Sequence, residues 1–143
     1  MPGLSEAWIE EGRASLLPIT MTAEFEGELL SMPWVVSTLD WARLKPTAPL
    51  NRARATGEQV LQWAKRTAIG ACTHMALRFN AKKPCLLVSV EDGLRYLDEL
   101  FEESPGVRFC FGVDVADGKV RPHYDAVLQY GTGHLLVASA LPA

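Results

Sequence analysis

Apolar residues recur with helical spacing after Thr56, in the longest periodic segment of the chain. Thr56 and Gln59 have the spacing of a capping box, so the sequence predicts one long helix over residues 57–79. Its apolar residues form two stripes, and the second stripe includes Trp63 and His74. A helix with two apolar stripes is normally covered on both sides, either by the rest of the fold or by a partner. Burial within the fold is the commoner outcome.

The segments after this helix alternate between extended and helical patterns. The apolar run CLLVSV predicts a buried strand over residues 85–90, and the leucines that follow predict a helix over residues 91–103. Apolar residues then alternate on either side of Asp117-Gly118, which is a strong hairpin signal. With a third strand after the hairpin, the pattern predicts an antiparallel meander over residues 107–141.

The two-residue turn fixes the register that we predict for this hairpin, with one apolar face and one polar face. The predicted pairs are Val115 with Val120, Phe111 with Tyr124 and Val107 with Leu128 on the apolar face, and Asp114 with Arg121, Gly112 with His123 and Cys110 with Asp125 on the polar face. Helices are expected to cover the apolar face only.

The region before the long helix has weaker patterns. We predict a short helix over residues 5–17, a strand over 19–30, a short helix over 37–44 and an irregular basic loop at about 45–56. The fold class is therefore α+β, as a single globular domain over residues 1–143. In it, the meander 107–141 and the short strand 85–90 pack against the long helix 57–79 and the helix 91–103.

Composition agrees with a globular domain. The chain has 143 residues, of which 48% are hydrophobic and 22% are charged, so it can bury a sizeable core. Its three cysteines, an odd number in apolar surroundings, favour reduced thiols and a cytoplasmic location. The glutamates near the N-terminus argue against a signal peptide, and no apolar run is long enough to span a membrane. The Ala- and Arg-containing composition favours a bacterial source.

Charge is segregated along the chain. Residues 1–40, 41–83 and 84–143 carry net charges of −6, +8 and −5, which give the overall charge of −3. The acids at both ends predict a surface that attracts a basic partner, unless the blocks pair with one another in the fold.

The acidic surface carries the function that we expect first. A small cytosolic protein-binding module could cover a cationic partner with it, for example as an inhibitor or immunity-type protein against a nuclease toxin. The predicted partner-binding residues are Glu24, Glu26, Glu28, Asp98, Glu99, Glu102 and Glu103.

The basic block supports an alternative, a nucleic-acid-binding module in which cations near Trp41 and Trp63 hold phosphates. The predicted anion-binding residues are Arg43, Lys45, Arg52, Arg54, Lys65 and Arg66. The negative net charge and the missing nucleic-acid motifs weigh against it.

A small thiol-dependent enzyme is the second alternative, because the predicted register brings Cys110, His123 and Asp125 to one face. No oxyanion-hole motif accompanies them, so we expect no catalytic site. Cys72 and His74 would diverge on a helix, and no histidine has a zinc-ligand spacing. We accordingly expect no metal site and no cofactor.

Overall fold

The computed structural model describes residues 3–35, 38–44, 46–101, 108–131 and 135–141. Within these ranges the α-helices are α1 (Leu4–Glu10), α2 (Ile19–Ser31), α3 (Gly57–Ala64), α4 (Val90–Arg95) and α5 (Leu97–Leu100). Short 3-10 helices cover Trp41–Arg43, Arg52–Arg54 and Ile69–Ala71. The strands are β1 (Ala14–Leu16), β2 (Trp34–Val35), β3 (Thr38–Leu39), β4 (Thr47–Asn51), β5 (His74–Arg78), β6 (Leu86–Ser89), β7 (Arg108–Ala116), β8 (Lys119–Tyr130) and β9 (Leu135–Ser139). None of the described helices has the length and apolar character needed to cross a membrane.

Seven of the described strands form one antiparallel sheet in the order β1-β6-β5-β7-β8-β9-β4. Strands β2 and β3 form a separate small hairpin. The predicted α+β class is confirmed, and so is the meander, as β7, β8 and β9.

Both faces of the sheet are covered by other elements. Helices α1, α3, α4 and α5 bury one face, and helix α2 with the β2–β3 hairpin buries the other. Alternate residues of β5 therefore enter different cores: Met75 and Leu77 face the first set of helices, and Ala76 faces α2. The expectation that helices cover only the apolar face of the hairpin is wrong, because the sheet lies between two layers; Asp114, Arg121 and His123, near the turn, stay partly exposed or exposed.

The structure confirms two predictions that rest on short sequence signals, the capping box at Thr56 and the turn at Asp117-Gly118. The Thr56 hydroxyl accepts from the Gln59 N–H at 3.1 Å, and the Gln59 side chain accepts from the Thr56 N–H at 2.8 Å, which completes the capping box. Asp117 and Gly118 have φ values of 52° and 73°, as a type I′ hairpin turn requires.

The long helix over residues 57–79 is wrong, because α3 ends at Ala64 and residues 74–78 form β5. Thr67 ends the helix by donating its hydroxyl to the Ala64 carbonyl at 2.7 Å and accepting from the Gly70 N–H at 3.0 Å. A Cβ on Gly70 would lie 1.8 Å from the Ala64 oxygen, so the tight turn there requires glycine. Trp63 is buried in the core, whereas His74 lies half-buried on a strand, so the two do not form one helical stripe.

The helix predicted over residues 91–103 is two short helices, α4 and α5, which meet at Tyr96. Ser89, one residue before α4, caps it by accepting from the Asp92 N–H at 3.2 Å. Residues 102 and 103 lie outside the described ranges.

The strand predicted over residues 19–30 is wrong, because this segment is helix α2. Its buried residues are Thr22, Phe25 and Leu29, at the spacing of one helical face. The weak alternation of the sequence placed Ile19 on the same side as Phe25, yet Ile19 is 48% exposed.

Three smaller predictions also differ from the structure. The helix over residues 5–17 ends at Glu10, and β1 follows it. Of the helix over residues 37–44, only the 3-10 helix from Trp41 is present in the described part. The loop at about 45–56 contains β4, which lies at the edge of the sheet, where Pro49 is tolerated because an edge strand has spare N–H positions.

Candidate functional site

A β-bulge interrupts the β7–β8 hairpin beside Gly112. Gly112 pairs with His123 as predicted, but the next residue, Phe111, pairs with Val127. Residues 124–126 therefore have no partner in β7, and they form the bulge. Gly112 is itself the sequence signal for this irregularity, since an isolated glycine within a strand marks a bulge or a close approach.

The bulge divides the predicted register into a correct half and a wrong half. The pairs between the turn and the bulge are confirmed: Val115 with Val120, Asp114 with Arg121 and Gly112 with His123. Beyond the bulge, Phe111 does not face Tyr124 and Cys110 does not face Asp125, because Cys110 pairs with Leu128. Val107 lies outside the described residues.

The bulge borders a cleft of about 890 Å³ between α2, the 3-10 helix at Trp41, the middle of β8 and the end of β9. Its apolar lining comes from Met32, Trp41, Leu44, Val127 and Leu141, among others. Polar side chains also line it, namely those of Glu28, Arg43, His123, Tyr124, Asp125 and Ser139. Sequence reasoning named Glu28, Arg43, His123 and Asp125, but for three different functions.

Glu24 adds a third carboxylate beside this cleft. It lies one helical turn before Glu28 on α2 and accepts the Tyr124 hydroxyl at 2.6 Å. The Glu24 hydrogen bond, desolvation and the charge of Glu28 raise the Tyr124 pKa to about 12. Two carboxylates of α2 therefore act on the phenol of Tyr124, which belongs to the bulge.

The other predicted acidic residues lie elsewhere or already have partners. Glu26 accepts a charge-assisted hydrogen bond from Arg78 of β5. Asp98 accepts from the Tyr130 hydroxyl and lies 4.0 Å from Arg52, on the opposite face of the sheet from α2. Glu99 is exposed on α5, and Glu102 and Glu103 are outside the described residues. The five predicted acids that the structure describes are therefore not on one surface.

The predicted basic residues are also divided. Arg52 has a side chain only 12% exposed, donates to the Ala55 and Arg95 carbonyls and lies beside Asp98, so it stabilises the fold. Arg54 and Arg66 line a second cleft, of about 520 Å³, next to Trp63. Lys65 is exposed on the helix end, Arg43 lines the first cleft and Lys45 is outside the described residues.

Cys110 is fully buried, and burial raises the pKa of its thiol well above the usual value. The predicted Cys110, His123 and Asp125 group is therefore not assembled. Cys72 takes the place of Cys110: its Sγ, a carboxylate oxygen of Asp114 and a ring nitrogen of His123 all lie within 4.8 Å of one another. Sequence reasoning missed Cys72 because residues 72–74 were predicted as helix, and no local signal links position 72 to the hairpin.

Hydrogen bonds hold Asp114 and His123 together, and the Cys72 thiol beside them stays protonated. The Thr73 N–H donates to Asp114 at 3.0 Å and His123 Nε2 lies 2.7 Å from the same carboxylate, which together lower the Asp114 pKa. Burial, with the charges of Asp114 and Asp125, raises the Cys72 pKa to about 11. Cys72 is therefore not an activated nucleophile.

Comparisons of the chain with models of known protein families, with curated proteins and with solved structures gave no match. The fold and the clefts define the protein as an α+β domain that has an apolar cleft bordered by carboxylates and a group formed by Cys72, Asp114 and His123.

We expect Gly112→Ala to destabilise the protein by about 1–3 kcal/mol, since overpacked cores typically lose that much. The added Cβ would lie 2.5 Å from Cys72 Sγ and 2.9 Å from the Ala126 Cβ. Denaturant unfolding measures the change. Gly27→Ala is the matched control: it lies on the exposed face of α2 with nothing within 4 Å, and should be stabilising by about 0.5–1 kcal/mol. Equal stability of Gly112→Ala and wild type would contradict the packing of Cys72 on Gly112.

Proposed function

We propose that the protein is a binding module whose cleft beside the bulge holds a segment of a partner protein that carries basic and apolar side chains. The observation that supports this most is the composition of the cleft: an apolar lining with the carboxylates of Glu28 and Asp125. Apolar contact supplies affinity in such a groove, and complementary charge at its border selects the partner.

Charge complementarity favours a basic occupant. Glu28 and Asp125 line the cleft, and Glu24 lies beside it. Among the described lining residues, Arg43 is the one arginine or lysine, so acids outnumber these bases at the cleft. Acids at the border of a cleft raise the rate of association with a cationic partner, and they do so less as the salt concentration rises.

Of the acids predicted to bind a partner, the proposal keeps Glu24 and Glu28, and it adds Asp125 to them. Asp98 and Glu99 lie beyond the sheet, so one short segment would not contact them together with α2. An inhibitor or immunity-type protein that neutralises a nuclease toxin is the specific form that we favour, because such a partner carries the basic surface that the cleft would select.

Charge reversal at the cleft tests this function. A displayed library of random peptides is selected on the wild-type protein, and the enriched peptides are synthesised. We expect them to combine Arg or Lys with apolar residues, and Glu28→Arg with Asp125→Arg to weaken their binding about tenfold at low salt, because two rim attractions become repulsions. Fluorescence anisotropy measures the affinities.

The matched control is Glu10→Arg with Glu99→Arg, which makes the same change in net charge at exposed positions on α1 and α5. This pair should leave binding within about twofold, since distant surface charges are screened. Selection of acidic peptides, or equal weakening by both pairs of substitutions, would contradict the proposal.

A second candidate function rests on the smaller cleft. Arg54 and Arg66 line it beside Gln59 and Gln62, and the described lining residues include no acid. A nucleic-acid strand there would bind through its phosphates and lose affinity steeply with salt. It would contact the Trp63 side of the molecule and leave the cleft at the bulge free.

A further inference from the structure

The three side chains of the Cys72, Asp114 and His123 group come from two separate parts of the chain. Cys72 follows the 3-10 helix Ile69–Ala71, and the other two come from the facing strands of the hairpin. Their donor atoms, one sulfur, one oxygen and one nitrogen, lie within 4.8 Å of one another. All three residues are half-buried, so the group is shielded but can be reached from solvent.

Hydrogen bonds hold the carboxylate of this group in place. One oxygen of Asp114 accepts from the Thr73 N–H at 3.0 Å, and the other lies 2.7 Å from His123 Nε2. The Thr73 hydroxyl accepts from the Val115 N–H at 2.9 Å, which ties the residue after Cys72 to β7. The backbone hydrogen bond from Thr73 fixes the orientation of the carboxylate, as an outer hydrogen bond does for a metal-binding carboxylate, and directs the other oxygen toward His123.

Packing brings the thiol to the same point. Cys72 Sγ fits against Gly112, where any Cβ would lie 2.5 Å away. Because Gly112 pairs with His123 at the edge of the bulge, the missing side chain opens the space in which Cys72 approaches the histidine. Two further charged side chains act on the group. The Asp125 carboxylate disfavours the thiolate form of Cys72, as the Asp114 carboxylate does, and the Arg121 guanidinium favours the ionised form of Asp114.

We propose that Cys72, Asp114 and His123 form a binding site for a divalent metal ion, with Zn²⁺ as the best fit. A thiolate, an imidazole and a carboxylate are the ligand types that Zn²⁺ takes in proteins, whereas Mg²⁺ and Ca²⁺ prefer oxygen ligands alone. Three protein ligands leave one position of a tetrahedral ion for water or for an outside donor. His123 also lines the large cleft, so that position belongs to the region where we place the partner segment. The metal site itself does not depend on that proposed function.

Zinc titration of the reduced, metal-free and tag-free protein tests the site. Calorimetry should show one Zn²⁺ bound per chain, and Cys72→Ser or His123→Gln should each weaken binding at least about 100-fold, since loss of an outer-shell partner alone costs up to that much. Co²⁺ in place of Zn²⁺ should give a thiolate charge-transfer absorption in the wild type and in no Cys72→Ser sample.

Asp117→Asn is the matched control, because it removes a carboxylate from the exposed turn of the same hairpin, suits the turn conformation there and lies outside the group. It should keep the wild-type affinity within about twofold, as a change outside the ligands and their partners does. Circular dichroism of each variant without metal verifies that it folds.

Alkylation of the wild-type protein gives a readout without any substitution. Cys85 and Cys110 are buried, so native labelling with iodoacetamide should modify Cys72 first, and Zn²⁺ should slow that labelling at least about tenfold because it occupies the sulfur. Absence of zinc binding, unchanged binding by Cys72→Ser or labelling of Cys72 that zinc does not slow would each overturn the proposal. Binding of the basic peptides is measured separately, so failure of the metal site leaves the proposed function standing and the reverse also holds.

Discussion

Phe25→Ala is expected to destabilise the protein by about 3–5 kcal/mol, the usual cost of removing a fully buried phenylalanine. The Phe25 side chain has no exposed surface and stacks on Phe111, with ring centroids 4.4 Å apart and planes 9° apart. It also meets the edge of Tyr124 at 5.8 Å, so it joins α2 to the sheet and to the bulge. Because small domains are stable by only about 5–15 kcal/mol, the variant should lose a large part of its stability.

Ile19→Ala is the control for Phe25→Ala. The sequence pattern placed the two residues on one side of a strand, whereas helix α2 leaves Ile19 48% exposed. Ile19→Ala should therefore cost less than about 1 kcal/mol in denaturant unfolding. Similar losses from both substitutions would show that this segment does not pack as α2 does.

Trp63→Ala should be comparably destabilising, by about 3–5 kcal/mol. Trp63 is only 2% exposed, and its indole N–H donates to the Ala48 carbonyl at 3.2 Å. The residue thus ties α3 to the edge strand β4. Trp63→Phe keeps most of the apolar area and removes the donor, so it should cost less than the alanine, with the hydrogen bond accounting for about 1 kcal/mol of its loss.

Gln62→Ala is the control for Trp63, since Gln62 is the exposed neighbour on the same helix. Its unfolding free energy should stay within about 0.5 kcal/mol of wild type. If Trp63→Ala lost no more than Gln62→Ala, then Trp63 would be an interface residue that awaits a partner and not part of the core. That outcome would support the alternative that the sequence left open, in which a partner covers the apolar stripe that includes Trp63.

The elements that sequence reasoning predicted correctly are the ones that short signals specify. The capping box starts α3 at the predicted residue, and Asp117-Gly118 sets the hairpin and its register as far as Gly112. These signals lie within a few residues of the structure that they determine, so no knowledge of the packing is needed.

The largest error, the long helix predicted over residues 57–79, arises where a buried segment has no regular alternation of apolar and polar residues. Residues 74–78 enter a sheet covered on both faces, so Met75, Ala76 and Leu77 are all fully buried and the sequence lacks the alternation of a half-exposed strand. Such an apolar run also satisfies helical spacing, which is why the helix was extended through it. What ends α3 is the Thr67 and Gly70 turn, and its role becomes visible only in three dimensions.

Two of the three residues in the Cys72, Asp114 and His123 group could be placed from the sequence, because a local signal specifies the hairpin that carries them. The hairpin placed Asp114 and His123 on one face, and they do contact each other at 2.7 Å. Cys72 reaches them from a segment about forty residues away in sequence (position 72 against 114), and long-range approaches of this kind leave no local pattern.

The segregated charge blocks partly pair within the fold. Arg78 of the basic block binds Glu26, and Arg52 lies 4.0 Å from Asp98. Internal pairing accounts for part of the segregation, and it removes Glu26 from the surface offered to a partner. The carboxylates around the bulge are therefore what sustains the binding proposal.

The indole N–H signals of the four tryptophans test the central claim most directly, because two of them report on different clefts. Trp41 lines the cleft at the bulge, Trp63 lines the basic cleft, and Trp8 and Trp34 are among the lining residues of neither. Each signal is assigned with a Trp→Phe variant, and a selected basic peptide is titrated into ¹⁵N-labelled protein. We predict that the Trp41 signal shifts with saturation while the Trp63 signal does not move. A shift of Trp63 alone, or no shift of Trp41 at saturating peptide, would contradict the account.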